Sequence, residues 1–323
     1  MAEITYIQAI SEGLREEMQR DESVFLLGED IGNYGGAFKV TKGFVEEFGE
    51  ERVIDTPLAE SAIFGMSIGA ALQDMRPVAE MQFSDFVSTG FNQLVNNAAK
   101  IHYRWGAAVP MTVRMPTGGG VHGGPFHSQN TEAWFFHVPG LKLVAPSNPY
   151  DAKGLIKAAI RDKNPVLYFE HKYLYRREKQ ELSGDDFLVE IGKGRVAREG
   201  EDLTVLTYGS MVPTSLEAAS HLESRIDVEV IDLRSLMPLD MELIIGSIKK
   251  TNKALIVHED IKTGGIGAEL SARITEEAFE WLDGPIRRVA SIDTPVPFAP
   301  SLEEYFMPNP DKIAAGIQQL WDY

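Results

Sequence analysis

The sequence predicts an α/β protein of two domains, each with a mainly parallel sheet flanked by helices. Three observations predict it. Short apolar runs of strand length alternate with longer segments of helical periodicity, which is the pattern of βαβ units. That alternation breaks once, between Arg176 and Glu201, in a polar stretch containing Ser183-Gly184-Asp185-Asp186. The length of 323 residues suits two domains of about 150 residues each. We therefore expect a first domain over 1–178, a linker over 179–200 and a second domain over 201–323.

The elements follow in order. Ile7 to Arg20 has helical periodicity. Val24-Phe25-Leu26-Leu27 is an apolar run ending in Gly28-Glu29-Asp30, as expected of a strand buried on both faces. Ala59 to Gln73 reads as a helix, with Thr56 placed to cap it and Pro57 suited to its first turn. Ser61 to Gln73 carries no charge, and Gly65, Gly69 and Ala70 permit close packing. A helix apolar all round is expected to be buried, with the Glu60 carboxylate at its positive end. Pro77 to Phe83, Met111 to Arg114, Leu141 to Val144 and Val166 to Phe169 read as strands, with helices over Thr89 to Tyr103 and Ala152 to Ala159. Past the polar stretch, strands are expected at Leu203 to Tyr208, Val228 to Ile231, Ala254 to Val257 and Ile286 to Val289. Helices are expected at Thr214 to Glu223, Met241 to Lys250, Ala268 to Trp281 and Lys312 to Trp321.

Composition narrows the chemistry. With 31 Lys+Arg against 48 Asp+Glu the formal charge is −17, a field that repels nucleic acid and anionic membranes. There is no cysteine, so disulfides, thiolate zinc sites, iron–sulfur clusters and a cysteine nucleophile are all excluded. Chemistry must come from carboxylates, histidines, hydroxyls or a bound cofactor. The start, Met1-Ala2-Glu3-Ile4-Thr5-Tyr6, lacks a basic region followed by an apolar core, and no charge-free stretch spans ~30 Å of hydrocarbon. The expectation is a cytoplasmic protein, or the processed form of an organellar one, with no nucleic acid and no membrane partner.

In parallel sheets ligands gather outside the carboxyl ends of the strands. That rule points to Glu29, to the residues after Met81 and to the loop after Arg114. The loop Gly118-Gly119-Gly120-Val121-His122-Gly123 matches a dinucleotide-binding pattern literally, but Pro125 and a polar run stand where its helix should open. The glycines otherwise let the backbone turn, or pass close to something bulky. His122 and His127 are either a metal pair or hydrogen-bonded loop histidines, and His127 is placed for proton transfer. Phe83 and Phe86 are core, or a stacking platform for a heterocycle. Lys262-Thr263-Gly264-Gly265-Ile266-Gly267 is an anion-binding helix start or a structural turn.

Taken together, several segments resemble one family. They are Leu26-Leu27-Gly28-Glu29-Asp30, Asp55-Thr56-Pro57-Leu58-Ala59-Glu60, Arg76-Pro77-Val78-Ala79-Glu80-Met81-Gln82-Phe83 and His127-Ser128-Gln129. Pro139-Gly140-Leu141-Lys142, Tyr150-Asp151-Ala152-Lys153-Gly154-Leu155 and Ile231-Asp232-Leu233-Arg234 continue the series. End to end the chain resembles the beta subunit of the thiamin-diphosphate-dependent decarboxylating component of 2-oxo acid dehydrogenase complexes. The resemblance implies a transketolase-like pyrimidine-binding domain followed by a transketolase C-terminal-like domain.

It also implies roles. Glu60 would hydrogen-bond the aminopyrimidine of the cofactor and favour the imino tautomer that takes the thiazolium proton. Phe86 would stack on that ring, with Leu58 and Gln82 as walls and Glu29 nearby. His127 would assist acyl transfer to a lipoyl group. The carbonyls of Ala159 and Ile160, with Asp162 and Asn164, would form a structural K+ site. The family holds the diphosphate through Mg2+ at a Gly-Asp-Gly motif, which this chain lacks; Gly184-Asp185-Asp186 in the polar stretch does not match it. The resemblance therefore implies an alpha subunit that carries Mg2+, in a tetramer of two alpha and two beta chains. A basic peripheral-subunit-binding domain of the lipoyl acyltransferase core is a further implied partner. The glycine loop and the ending Glu304-Tyr305-Phe306-Met307-Pro308-Asn309-Pro310-Asp311-Lys312 look most like branched-chain members, with pyruvate or acetoin dehydrogenase as the alternative. A non-catalytic scaffold subunit and a nicotinamide oxidoreductase are the readings from other classes.

Overall fold

The computed structural model describes residues 3–323. Met1 and Ala2, where the expected first domain begins, lie outside the described residues. The first half comprises β1 (Glu3–Thr5), α1 (Tyr6–Arg20), β2 (Val24–Gly28), α2 (Phe44–Phe48), β3 (Val53–Asp55), α3 (Glu60–Ala71) and β4 (Arg76–Glu80). It continues through α4 (Ala99–Trp105), β5 (Thr112–Thr117), α5 (Glu132–Phe136), β6 (Lys142–Val144), α6 (Pro149–Arg161), β7 (Val166–His171) and β8 (Lys179–Glu181). The second half comprises β9 (Arg195–Arg198), β10 (Leu203–Thr207), α7 (Met211–Leu222), β11 (Val228–Asp232), β12 (Ser235–Met237) and α8 (Met241–Thr251). It ends with β13 (Ala254–Ile261), α9 (Ile266–Ala278), β14 (Arg287–Ser291), α10 (Pro300–Phe306) and α11 (Pro310–Trp321).

The larger sheet runs β12-β6-β7-β5-β4-β2-β3 and is parallel except for its edge strand β12. β5 and β7 are buried along their whole length, as the apolar runs required. α1 and α6 cover one face, with Ile10 and Leu14 packed among Leu155 and Ile156. A capping box at Thr5 and Gln8 starts α1, and Asn148 caps α6 ahead of Pro149. α3 covers the other face with Ile63, Phe64 and Ile68.

Three expectations change here. Thr56 does not cap α3: its N–H donates to the Gly28 carbonyl (2.9 Å), prolonging the sheet edge, and the helix starts at Glu60 with Ala59 as N-cap. Nor is α3 buried all round. Ala62, Gly65, Met66 and Gly69 are exposed, with open space where Cβ atoms on the two glycines would stand. An apolar face says that something covers it, not that the same chain does. The helix expected over Thr89 to Tyr103 breaks into a 3₁₀ segment (Ser84–Gly90), a π turn (Gln93–Ala98) and α4. The break lets Gly90 press on the Phe64 ring, where any Cβ would collide.

The stretch expected as a linker supplies one strand to a small two-stranded sheet and one to the second sheet. β8 pairs antiparallel with β1, and β9 pairs antiparallel with β11 on the edge of the second sheet, β14-β13-β10-β11-β9. β12, from the second half of the chain, crosses back to pair with β6. One apolar core therefore runs through both domains, from Phe135 and Phe169 to Leu206, Leu236 and Ile256. Ion pairs seal the junction. Arg234 holds Asp151 at 2.7 Å, while Ser147 and Arg195 hold Asp232 at 2.5 and 3.1 Å. Gly184-Asp185-Asp186 is structural, since Asp186 pairs with Lys157 and Arg161. No helix among the described residues is long and apolar enough to cross a membrane.

Two buried charge clusters generate predictions. Arg114 bridges Glu80 and Glu170 between β4, β5 and β7, and Tyr175 donates to Glu170 at 2.9 Å. Replacing Arg114 by Met strands two carboxylates in the sheet and is expected to lower stability by about 3–5 kcal/mol. Urea unfolding measures it, and a loss under ~1 kcal/mol would mean the carboxylates find other compensation. Glu132, buried at the start of α5, accepts from the Tyr208 hydroxyl at 2.7 Å across the domain junction, and its Oε2 has no partner. Burial first, then the charge of Asp260, pushes its carboxyl up to about 8. A raised acid holds its proton in the fold. The stability so gained is complete below the ordinary value of 4.5 and is lost as pH rises through about 8. Thermal melting from pH 5 to 8 should fall less steeply in Glu132→Gln than in the parent, with a residual slope from Asp260, which burial also raises. Equal slopes would remove Glu132 as the source.

Candidate active site

The residues singled out from the sequence meet at the carboxyl ends of four adjacent strands, β3, β2, β4 and β5. Glu29 follows β2, Glu60 begins α3 after β3, Gln82 and Phe86 follow β4, and His127 lies on the loop after β5. Parallel strands place all their carboxyl ends on one edge, which is why residues scattered along the chain converge there.

The pairwise geometry is specific. Glu60 Oε2 accepts from the Thr89 hydroxyl at 3.1 Å, and the same hydroxyl reaches the Phe86 carbonyl at 2.9 Å. Thr89 thus ties the carboxylate to the aromatic segment. Glu29 is 5% exposed and its Oε1 has no partner. Burial, then the neighbouring Glu60 carboxylate, pushes its carboxyl above the ordinary range. Gln82 donates to Asp30 at 3.0 Å, beside Glu29. His127 is wedged edge-on against Phe83 (4.7 Å between centroids) and Phe86 (5.5 Å). Leu58 is 82% exposed, so any wall it forms faces outward from this chain.

The other expectations separate from this cluster. His122 and His127 have different partners: His122 Nδ1 contacts Glu303 at 2.6 Å, whereas His127 packs on rings. Among the described residues no group of three or more His, Cys, Asp or Glu is arranged for a metal. Ala159, Ile160, Asp162 and Asn164 gather at the end of α6, by the amino ends of the strands, away from Glu60. The carbonyl of Ile160 accepts from Arg76, that of Ala159 from the Asp162 amide, and the Asp162 carboxylate from Lys142 (2.5 Å) and Asn164. Each of these oxygens keeps a further lone pair beside the one it shares with its donor, so the donors occupy only part of the set's capacity.

The glycine loop holds no dinucleotide phosphate; the chain's own carboxylates take its amides. Glu259 accepts from Gly119 (2.7 Å), and Glu303 from Gly120 (3.1 Å) and His122 (3.2 Å). The glycines are needed for close approach, since a Cβ on Gly118 would overlap the His171 ring. Gly265 and Gly267, at the start of α9, similarly accommodate the buried His258 imidazole beneath them, a structural role. Four residues around the site went unnoticed in the sequence. Asp85 accepts from the amide and side chain of Gln129 at 3.1 and 2.9 Å, fixing the His127 segment. Lys172, pushed down to about 8 by burial, lies 5.6 Å from the Phe83 ring centroid. Glu259 and Glu303 come from the second domain, where no local signal links them to the loop. Asp85 alone had one, standing between Phe83 and Phe86.

Comparison with known proteins agrees with this arrangement. Residues 2–178 match the transketolase pyrimidine-binding domain and residues 192–313 the transketolase C-terminal domain. The fold is similar to a split-gene transketolase described as an inactive beta4 tetramer, with a TM-score of 0.83 over 99% of both chains at 24% identity. The 2-oxoisovalerate dehydrogenase subunit beta of Bacillus subtilis is 54% identical, covering 100% of each chain. The pyruvate dehydrogenase E1 component subunit beta of Chaetosphaeridium globosum is 46% identical over 99% of each, and that of Staphylococcus epidermidis 45% over 96% of each. With its carboxylate, aromatic and imidazole groups on one sheet edge and its whole length matched, the chain belongs to the family of beta subunits of thiamin-dependent 2-oxo acid dehydrogenases.

Proposed function

We propose that this chain is the beta half of a branched-chain 2-oxo acid dehydrogenase and that Glu60, Phe86 and His127 are its working residues. The observation that carries the reading is the Glu60 corner. A carboxylate at a helix start, tied by Thr89 to Phe86, stands beside the buried carboxyl of Glu29, whose Oε1 is unpartnered. These groups fit an aminopyrimidine, with a ring to pack on it and a carboxylate to hold one of its nitrogens. Thiamin diphosphate, when bound, supplies the carbon that adds to the 2-oxo group and the cationic ring that takes the electrons as carbon dioxide leaves. Glu60 would accept a hydrogen bond from the protonated pyrimidine nitrogen and so favour the imino tautomer. Glu29, held toward its neutral form, keeps a second negative charge away from that carboxylate. Phe86 orients the ring, and Gln82 lines the approach with Leu58. His127 stands where it can give a proton to the lipoyl sulfur released during acyl transfer.

The diphosphate and Mg2+ belong, in this proposal, to an alpha subunit. Two features support that division. The Gly-Asp-Gly motif through which the family holds Mg2+ does not occur in this sequence. The helix that starts at Glu60 also presents the uncovered face of Ala62, Gly65, Met66 and Gly69, where a partner helix can approach closely. A tetramer of two alpha and two beta chains would cover it. The −17 charge suits a basic docking domain of a lipoyl acyltransferase core. The 54% identity to a 2-oxoisovalerate enzyme, against 45–46% to pyruvate enzymes, favours a branched-chain substrate.

Three outcomes check this. With its alpha subunit, Glu60→Ala should assemble normally and lose about 10²-fold or more of thiamin-dependent decarboxylation, the scale of lost acid–base assistance. Retained activity would leave only a scaffold role. The assembled parent should show a kcat/KM for 2-oxoisovalerate above those for pyruvate and acetoin, and a reversed order would reassign the substrate. Calorimetric titration of the parent with NAD should give no heat of binding, and measurable affinity would revive an oxidoreductase with its own nicotinamide site.

A further inference from the structure

His127 packs on Phe83 and Phe86 of the first domain, yet the loop that carries it is held from the second. Glu259 Oε1 accepts from both ends of that loop, from the Gly119 amide at 2.7 Å and from Asn130 Nδ2 at 2.9 Å. Glu303, 1% exposed, grips the interior: Oε1 takes the Gly120 amide at 3.1 Å, and Oε2 takes the His122 amide at 3.2 Å and meets its Nδ1 at 2.6 Å. Phe298 closes on Gly124 so tightly that a Cβ there would stand 2.8 Å from the ring.

The backbone explains why a lock is needed. Gly118, Gly120 and Gly124 are left-handed, and so is His122 at φ 59°. A non-glycine residue in that region costs about 1–2 kcal/mol and persists only where its surroundings hold it. Alternating left-handed residues turn successive amides to one side, forming a concave nest for an anion. Here the anions are two carboxylates of the second domain, and charge-assisted bonds of this kind are the strong ones. There is little slack between nest and imidazole. The His127 amide donates to Gly124 at 3.3 Å, and a Cβ on Gly123 would meet Ser128 Oγ at 2.8 Å.

We propose that Glu303 and Glu259 are positioning residues for His127: the second domain locks the glycine loop, and the lock sets where the imidazole stands against Phe83 and Phe86. This rests on the acyl-transfer role proposed above for His127. The test uses the enzyme assembled with its alpha subunit and two assays, thiamin-dependent decarboxylation read with ferricyanide and acyl transfer to a free lipoyl domain. Glu303→Gln should leave the ferricyanide rate near that of the parent and slow lipoyl transfer by about tenfold to a hundredfold, the scale of a misplacement near 1 Å. The double variant with His127→Ala should be no slower than His127→Ala alone. Equal losses in both assays, or additive losses, overturn the proposal. A His127→Ala enzyme with unimpaired lipoyl transfer instead overturns the role of His127. The lock is then still read by hydrogen exchange, where Gly120 and His122 should lose protection in Glu303→Gln and unchanged exchange sinks it. Should Glu303→Gln fail to assemble, His122→Ala, which removes only the exposed ring from the lock, should give the same split in weaker form, and no split overturns the proposal.

Discussion

Four donors converge on one buried carboxylate at the domain junction. Glu259, at the end of β13, receives Gly119 N–H and Asn130 Nδ2 on one oxygen and His171 Nε2 and Ser210 Oγ, both at 2.7 Å, on the other. Tyr173 N–H donates to His171 Nδ1, so the proton that reaches Glu259 is the one on Nε2. Burial alone would raise Glu259; His171 foremost, with Gly119 and Ser210, holds it down at about 2. Its four donors therefore favour the anion in the fold. A buried anion must keep its donors, and these donors come from the end of β7 and the loop between β5 and α5 in one domain and from the start of α7 in the other. The relative placement of the sheets and the closing of the glycine loop both follow from that requirement.

The larger sheet was legible because its central strands are buried on both faces, so their sequences are largely apolar runs, interrupted inside β5 and β7 by the paired Arg114 and Glu170. The short edge strands were not. β8, Lys179-Gln180-Glu181, is exposed throughout, and its strand form comes from pairing with β1 rather than from any pattern of its own. β12 was hidden for another reason. Ser235-Leu236-Met237 belongs by sequence to the second domain and by hydrogen bonding to the first. Local pattern reports what a segment can do, and long-range pairing decides what it does.

The candidate site divides in the same way. Glu60, Phe86 and His127 follow strands whose ends lie together in any parallel sheet, so chain position and resemblance together were enough to select them. Their supports were not visible. Thr89 and Lys172 acquire roles only through contacts with distant residues, and Glu303 lies 181 positions beyond the His122 amide that it accepts. α3 marks a different limit. Its sequence is apolar on every side, and one side is uncovered here. Periodicity measures how much surface wants covering, while the identity of the cover is settled by surfaces outside this chain.

The glycine loop shows how one backbone device serves opposite ends. In a dinucleotide fold, glycine-rich turns aim amides at a phosphate brought by the ligand. In this chain a comparable run of left-handed residues aims amides at Glu259 and Glu303, so the anion is supplied by the protein. A ligand anion leaves when the ligand leaves. A carboxylate fixed in a neighbouring domain does not, and the nest becomes a permanent fastening. In the role proposed for it His127 meets a mobile substrate arm, so its own position has to be set without that arm's help. An anion built into the second domain meets that condition, and the loop that carries the imidazole is held by three residues of that domain, Glu259, Glu303 and Phe298.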